Sequence, residues 1–307
     1  MLALASSVTY AQQPEPSRPA LQWFQDAKLG IFIHWGIYCV LGVDESWAFY
    51  NKKMSHSDYM KQLEGFTASK YDPAAWADLI QRSGAKYAVI TTKHHDGVAM
   101  WDAHLSGTGS LTQRNDFALR TIRSTPANKD VIAPLYDALR RKEIKCGAYF
   151  SLIDWSDFSY PAITKDSTRF AIKNDPVRWQ GFRDFYQGQI LEIATQLNPD
   201  LWWFDGDWEH SAEEWEAAKV RAKILEKNPK AIINGRLQGH GDYATPEQNI
   251  PVETPKAAAW ELCMTINNNW GWQPQDTNFK STHDLIAIFA DVIGHGGNLL
   301  LDIGPKE

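Results

Sequence analysis

The chain has 307 residues and a formal net charge of −6, with 44% hydrophobic and 22% charged residues. This composition is typical of a globular protein and excludes a disordered or collagen-like chain. The acidic balance argues against nucleic acid as a partner, because phosphate binding requires a basic surface. The count that stands out is 14 tryptophans, whose flat amphipathic rings can fill a core or stack against sugar rings.

The amino-terminal residues 1–20 have the features of a secretory leader. Small apolar residues occupy positions 2–11 and are followed by Gln-Gln-Pro. This order is typical of the hydrophobic region and cleavage site of a signal peptide, and a disordered extension is the alternative. We therefore expect residues 1–20 to be a leader remnant and linker, on a protein exported to the periplasm, the cell surface or the medium. No later run is long enough for a transmembrane helix, so no membrane span is expected.

Three cysteines are widely spaced, at Cys39, Cys146 and Cys263. An odd count with this spacing fits neither a disulfide framework nor a zinc site. We expect them to be small buried side chains.

Short apolar runs alternate with amphipathic helical segments along residues 21–307. The predicted strands are 29–35, 87–95, 145–155, 201–207, 231–236, 260–266 and 298–303. The predicted helices are 73–83, 130–142, 176–197, 212–227 and 282–294. Near-continuous apolar strands indicate a parallel sheet that is covered on both faces.

The position of the polar residues favours a barrel over an open sheet. They follow the carboxyl ends of the strands, as in a (β/α)8 or TIM barrel, while a doubly wound open sheet is the alternative. We expect residues 21–307 to form a barrel truncated at its last helix, because the chain stops just after a predicted buried strand. Neither nucleotide-binding glycine motif is present, so no nucleotide is expected.

Histidines close the first two predicted strands. His34 ends the first, and His94 and His95, followed by Asp96, end the second. Metal binding is the less favoured of two hypotheses, because adjacent residues on a strand point to opposite sides and are poorly placed to share one metal ion. Neutral imidazoles offer one donor and one acceptor, so the pattern favours binding of sugar hydroxyls.

Two later strand ends offer a carboxylate and a guanidinium. Asp205 follows four large apolar residues and precedes Gly206. Burying a carboxylate is costly unless the group is paired or functional. Asp205 is therefore a candidate nucleophile, and the alternative is that it caps a turn. Arg236 could pair with that carboxylate, or form a surface salt bridge instead. Glycoside hydrolysis requires a second carboxyl group. The candidates, among which spacing does not choose, are Asp242, Glu247, Glu253 and Glu261.

Five segments, taken together and in order, resemble the family 29 glycoside hydrolases, the α-L-fucosidases. They extend over nearly the whole chain after the leader. They are 28–36 (KLGIFIHWG), 86–97 (KYAVITTKHHDG), 203–206 (WFDG), 260–266 (WELCMTI) and 297–305 (GNLLLDIGP).

The resemblance implies a retaining exo-glycosidase on a (β/α)8-like barrel, usually followed by a β-sandwich that we expect to be absent here. Its substrate would be a fucosylated oligosaccharide or glycoconjugate, with no metal or organic cofactor. By similarity Asp205 is the nucleophile and Glu247 the acid/base, with Glu253 second. Glu261 would hold its loop by hydrogen bonds.

The resemblance also implies a set of sugar-binding residues. They are His34, Glu45, Trp47, His94, His95, Tyr149, Trp203 and Arg236. Ser46 separates Glu45 from Trp47, a variant of the usual adjacent pair. Asp302 stands where the family usually has Asn, and we expect little effect on the chemistry. We also expect most tryptophans near strand ends, such as Trp35 and Trp101, to line or support the sugar pocket.

Two other functions remain as hypotheses. One is a catalytically inactive fucose-binding protein, and the presence of both Asp205 and Glu247 argues against it. The other is a metal-dependent hydrolase that uses the three histidines and Asp96.

Overall fold

The computed structural model describes residues 18–104, 120–164 and 167–306, so most of the predicted leader lies outside the described residues. In chain order the strands are β1 (Leu29–Ile33), β2 (Tyr87–Lys93), β3 (Lys145–Ser151), β4 (Ala162–Thr164), β5 (Ser167–Thr168), β6 (Leu201–Asp205), β7 (Ile232–Ile233), β8 (Glu261–Thr265) and β9 (Asn298–Ile303). The strands β4 and β5 form a separate antiparallel pair. The other seven correspond to the seven predicted strands and form one sheet.

The order of the main sheet excludes the doubly wound alternative. It runs β7-β6-β3-β2-β1-β9-β8 with parallel pairing throughout. Every strand of this sheet except β7 therefore lies beside the next one in the chain, and the last strand, β9, lies beside the first. A doubly wound sheet instead reverses its order at a switch point.

An irregular segment, residues 243–247, links the two edges of this sheet. Tyr243 bridges to the residue after β7, while Ala244 and Glu247 bridge to Trp260 and to Cys263 of β8. The sequence did not predict a strand here, because Pro246 has no backbone N–H to donate to a ladder.

The helices are α1 (Gln22–Ala27), α2 (Trp47–Tyr50), α3 (His56–Met60), α4 (Pro73–Arg82), α5 (Ala133–Arg140), α6 (Pro176–Gln196), α7 (Ala217–Lys227) and α8 (Thr282–Gly294). The last five correspond to the predicted helices. Their starts follow from local chemistry: the side chain of Asp72 caps α4 and that of Ser281 caps α8, as N-terminal hydrogen-bond acceptors do. The helix α7 begins later than predicted, after a left-handed residue at Glu216.

Side chains of the strands alternate between two apolar layers. Phe32, Tyr149 and Trp203 belong to the cluster inside the curved sheet, while Ile31 and Phe204 pack in the layer against the helices. Because strand side chains alternate, Asp205 shares the inward direction of Trp203. The free cysteines are all buried, which confirms the prediction for them.

Candidate functional site

Asp205 ends β6 inside the sheet and is held by two donors. The Tyr149 hydroxyl donates to Asp205 Oδ2 at 2.9 Å, and Arg236 Nη1 donates to Oδ1 at 2.9 Å. The chain turns away at once because Gly206 adopts a left-handed conformation with φ of 82°, which glycine tolerates without steric cost. A Cβ there would lie 2.7 Å from the side chain of Ile153. The carboxylate is therefore fixed at the carboxyl end of its strand.

Arg236 joins the two candidate catalytic carboxylates. Besides Asp205, its guanidinium donates from Nη2 to Glu247 Oε2 at 2.6 Å. It also lies 4.5 Å from the centroid of the Trp203 ring, an arrangement that adds cation–π attraction. Glu247 has 41% of its side chain exposed, and Glu253 is exposed further along the chain. The structure thus brings Glu247, the first-ranked acid, to the same arginine as Asp205.

Glu261 lies beneath this pair rather than beside it. Its carboxyl group accepts hydrogen bonds from Trp203 Nε1 at 2.9 Å and from the Tyr87 hydroxyl at 2.6 Å. Burial raises the pKa of Glu261 to about 7, since the low dielectric disfavours the charged form. The Trp203 ring in turn stacks on Tyr149 with centroids 5.7 Å apart. Glu261 therefore orients the aromatic floor under Asp205.

His95 presents one free ring nitrogen to Asp205. Its Nδ1 lies 2.6 Å from Ser151 Oγ, and the Ser151 hydroxyl donates to the Ile153 carbonyl at 2.8 Å. A hydroxyl has one proton, so its oxygen must accept from Nδ1–H, and this network assigns the tautomer. Burial lowers the pKa of His95 to about 3, and the ring is neutral. Within the described part of the chain Nε2 has no hydrogen-bond partner, and it lies 3.7 Å from Asp205 Oδ2.

His94 and the residues before α2 form the next part of the site. The Ser46 hydroxyl lies 2.6 Å from His94 Nδ1, so the serine between Glu45 and Trp47 orients this ring. Burial, together with His95 and His34, lowers the pKa of His94 well below its ordinary value. Glu45 is buried, accepts a hydrogen bond from the Gly271 backbone N–H, and has its pKa raised by burial.

His34 is paired with Asp302 at 2.6 Å, through Nδ1 and Oδ1. Burial lowers the pKa of His34, but Asp302, Glu45 and Asp205 together more than offset this, so the net shift is upward. Burial also raises the pKa of Asp302 to about 7. Each of these two groups therefore influences the protonation of the other. Asp302, expected to matter little, contacts a candidate sugar-binding histidine directly.

Tryptophans surround the outer side of His95. Trp47 and Trp155 lie 5.4 and 4.9 Å from its ring centroid, and Trp208 lies 6.0 Å away. The expectation was wrong for Trp35, which packs against Trp76 of α4 with ring centroids 5.1 Å apart, and for Trp101, whose Nε1 donates to Glu192 of α6 at 3.1 Å. Both are buried in the outer layer against the helices, because a position near a strand end does not decide which face a side chain occupies.

Three further observations bear on the alternatives. Among residues 18–104, 120–164 and 167–306, no three His, Cys, Asp or Glu side chains are placed to hold a metal ion. A separate cleft of about 760 Å³ lies at the amino ends of the strands, lined by residues such as Trp23, Lys145 and Asp200. It is remote from the paired carboxylates, so we place the candidate site at the carboxyl ends. None of the described helices has the length and apolar character that a membrane crossing needs.

The sequence analysis identified the three histidines, Asp205 and Arg236 as candidate site residues, because each ends a predicted strand. Ser46, Ser151 and Tyr87 were missed, because a hydroxyl that pairs with a ring nitrogen or a carboxylate leaves no pattern in one sequence. Only Ser151, at the end of β3, has a strand position that could have indicated it.

Comparison with known proteins shows the family to which the chain belongs. A sequence profile of the alpha-L-fucosidase family matches residues 3–307. An alpha-L-fucosidase of Branchiostoma floridae is 30% identical over 94% of this chain and 67% of its own length. Human tissue alpha-L-fucosidase is 28% identical over 100% of this chain and 69% of its own length. The chain therefore spans about two thirds of the length of these curated relatives.

Solved structures show the same similarity. Alpha-L-fucosidase isoenzyme 1 from Paenibacillus thiaminolyticus superposes with a TM-score of 0.82 at 30% identity, covering 94% of this chain and 70% of that one. A GH29 alpha-L-fucosidase from Bacteroides thetaiotaomicron, trapped as a covalent intermediate with 2-fluoro-fucosyl fluoride, superposes with a TM-score of 0.81 at 28% identity, covering 96% and 71%. The chain belongs to the alpha-L-fucosidase family of glycoside hydrolases.

Proposed function

We propose that this chain is a retaining exo-α-L-fucosidase, which removes terminal α-L-fucose from fucosylated glycans by double displacement. The observation that carries the proposal is the contact of one guanidinium, that of Arg236, with both Asp205 and Glu247. Two carboxyl groups held at one site are what glycoside hydrolysis requires, and retaining enzymes hold the closer pair, which contact with a single guanidinium favours. The seven-stranded sheet with its bridging segment supports a (β/α)8-like barrel as the scaffold.

In the first step Asp205 Oδ attacks the anomeric carbon of fucose while the bond to the leaving oxygen breaks. Glu247 donates its proton to that oxygen, so the aglycone leaves as an alcohol. Glu247 is exposed enough to rotate away from Arg236, which it must do to reach the glycosidic oxygen. In the second step Glu247 takes a proton from water, and the resulting hydroxide displaces Asp205. Two inversions give net retention.

The polar side of the pocket is formed by the three histidines. His95 Nε2 carries a lone pair, so it accepts a hydrogen bond from a sugar hydroxyl held beside Asp205. His94 and His34 face the same space from neighbouring strand ends. Trp47 and Trp203 supply the apolar wall that a 6-deoxy sugar needs for its methyl group.

Variants with azide test both carboxyl roles. Asp205→Gly should lose hydrolysis of nitrophenyl α-L-fucoside, and azide should then give β-L-fucosyl azide by a single inversion. Glu247→Ala should keep the first step on this activated substrate, and azide should give α-L-fucosyl azide, because it attacks the fucosyl-enzyme. Glu253→Ala is the matched control and should behave as the native chain. An unchanged rate for Asp205→Gly would refute the proposal.

The same assay addresses the other hypotheses. A catalytically inactive fucose-binding protein would bind L-fucose in calorimetry without releasing nitrophenol. A metal-dependent hydrolase would lose its activity in a strong chelator, whereas the proposed enzyme keeps it. Export of the protein stays a proposal that rests on the sequence of residues 1–20.

A further inference from the structure

Trp208 is exposed at the mouth of the candidate site. Its side chain has 51% relative exposure, and within the described ranges it is the one tryptophan in that state. It follows Asp205 by three residues, in a short 3-10 turn (Asp207–Glu209). An indole offers a large flat apolar surface, and this one lies against the ring of His95, a candidate sugar-binding residue, so it is placed to contact a ligand.

The turn that carries Trp208 is fixed on both sides. Before it, the Asp207 carboxylate accepts from Gln238 N at 2.8 Å, and the Asp207 carbonyl accepts from Trp215 Nε1 at 2.9 Å. After it, Glu209 accepts from Trp155 Nε1 at 3.2 Å and also from the Tyr160 hydroxyl. The indole is therefore presented to solvent by a pinned backbone and loses little conformational freedom when a ligand binds.

Aromatic surface continues outward from the sugar pocket to Trp208. Around the His95 ring, Trp155 is fully buried, Trp47 is half-buried and Trp208 is half-exposed. Trp208 meets the His95 ring edge-on, with an interplanar angle of 85°. Since His95 Nε2 faces Asp205, the exposed face of Trp208 lies just outside the space assigned to fucose.

We propose that Trp208 is a stacking platform for the leaving-group sugar, on the aglycone side of the scissile bond. This inference rests on the proposed function and names the class of its second ligand, a pyranose ring. The apolar face of the pyranose covers the indole, while the fucose unit occupies the pocket between the histidines and Asp205. Trp208 therefore contributes to hydrolysis of fucosyl oligosaccharides and not to hydrolysis of substrates whose leaving group has no ring.

The test compares two substrates in one set of variants. The substrates are α-L-fucosyl fluoride and the fucosyl disaccharide that the native chain hydrolyses best among the available linkages. Trp208→Ala should lower kcat/KM for the disaccharide roughly tenfold, a typical loss for one stacking contact, and leave the value for the fluoride within about twofold. Trp208→Phe keeps an aromatic face and should restore most of the disaccharide rate. Leu79→Ala is the control, since Leu79 has a similar exposure of 55% on α4, and it should change neither substrate.

Each outcome separates the subsite from the activity itself. Equal loss on both substrates would overturn the platform, because Trp208 would then act through His95 on the fucose pocket. No loss on either substrate, or no hydrolysis of any disaccharide by the native chain, would also overturn it. Failure of the native chain to release fluoride would refute the fucosidase proposal and this subsite with it. Fluoride release also reports that each variant is folded. If Trp208→Ala releases no fluoride, the same comparison is made with Trp208→Gln, which has a longer side chain than alanine.

Discussion

Replacing Glu261 by glutamine should flatten the dependence of stability on pH. Burial raises the pKa of Glu261 from its ordinary value of 4.5 to about 7. Between these values the folded protein keeps a proton that the unfolded chain releases. The stabilising contribution is therefore fully present below pH 4.5 and is lost as the pH rises through about 7. A shift of this size corresponds to about 3 kcal/mol, at about 1.4 kcal/mol per unit.

The substitution also changes two hydrogen bonds. The carboxyl group accepts from Trp203 Nε1 and from the Tyr87 hydroxyl through different oxygens, and it can do so when protonated because a hydroxyl oxygen also has lone pairs. A glutamine amide has one acceptor oxygen, so its NH₂ group faces one of these donors. An unsatisfied buried donor costs about 1–3 kcal/mol. We expect Glu261→Gln to be less stable than the native chain at pH 5 and to lose most of that deficit at pH 8.

Urea unfolding at pH 5 and pH 8 measures this directly. From pH 5 to pH 8 the native chain should lose about 2–3 kcal/mol more of its unfolding free energy than the variant does. Glu253→Gln makes the same chemical change at an exposed glutamate and should follow the native chain. If Glu261→Gln showed the full native pH dependence, the carboxyl would not hold its proton as the burial argument requires.

The remaining predictions concern groups that contact the catalytic carboxylate and the histidines. Tyr149→Phe removes the hydrogen bond to Asp205 and should lower kcat/KM on nitrophenyl fucoside about 10- to 100-fold, the range for a hydrogen bond to a charged group; a loss below twofold would contradict this role. Asp302→Asn keeps an oxygen acceptor for His34 Nδ1 but removes the charge that raises the pKa of His34. Burial should then lower the pKa of His34, and the limb of the kcat/KM profile that reports this histidine should move to lower pH; an unmoved limb would show that the pair does not control activity.

The positions of the strands along the chain and half of the site follow from simple sequence patterns. His34, His94, His95 and Asp205 end continuous apolar strands, and parallel strands bring their carboxyl ends to one edge. Their convergence could therefore be predicted before any distance was known. The cyclic strand order, in contrast, depends on which strands pair, and local periodicity does not contain that information.

The contact between Arg236 and Glu247 could not be derived from spacing. Glu247 belongs to the bridging segment 243–247, where Pro246 breaks the strand pattern, and its placement depends on pairing with β8. The tryptophans show a related limit. Trp35 and Trp47 both lie near strand or helix ends, but only the packing against neighbouring elements places one in the core and the other beside His95.

Covalent trapping tests the central claim, that Asp205 is the nucleophile. The fluorine at C2 of 2-fluoro-fucosyl fluoride slows both steps, because it disfavours the cationic transition state. The fluoride at C1 is a good leaving group, so the adduct forms faster than it breaks down. We predict one fucosyl label per chain, located by mass spectrometry on the peptide that contains Asp205. A label on another carboxylate, such as Glu247, or turnover of fucosides without any adduct would contradict the assignment.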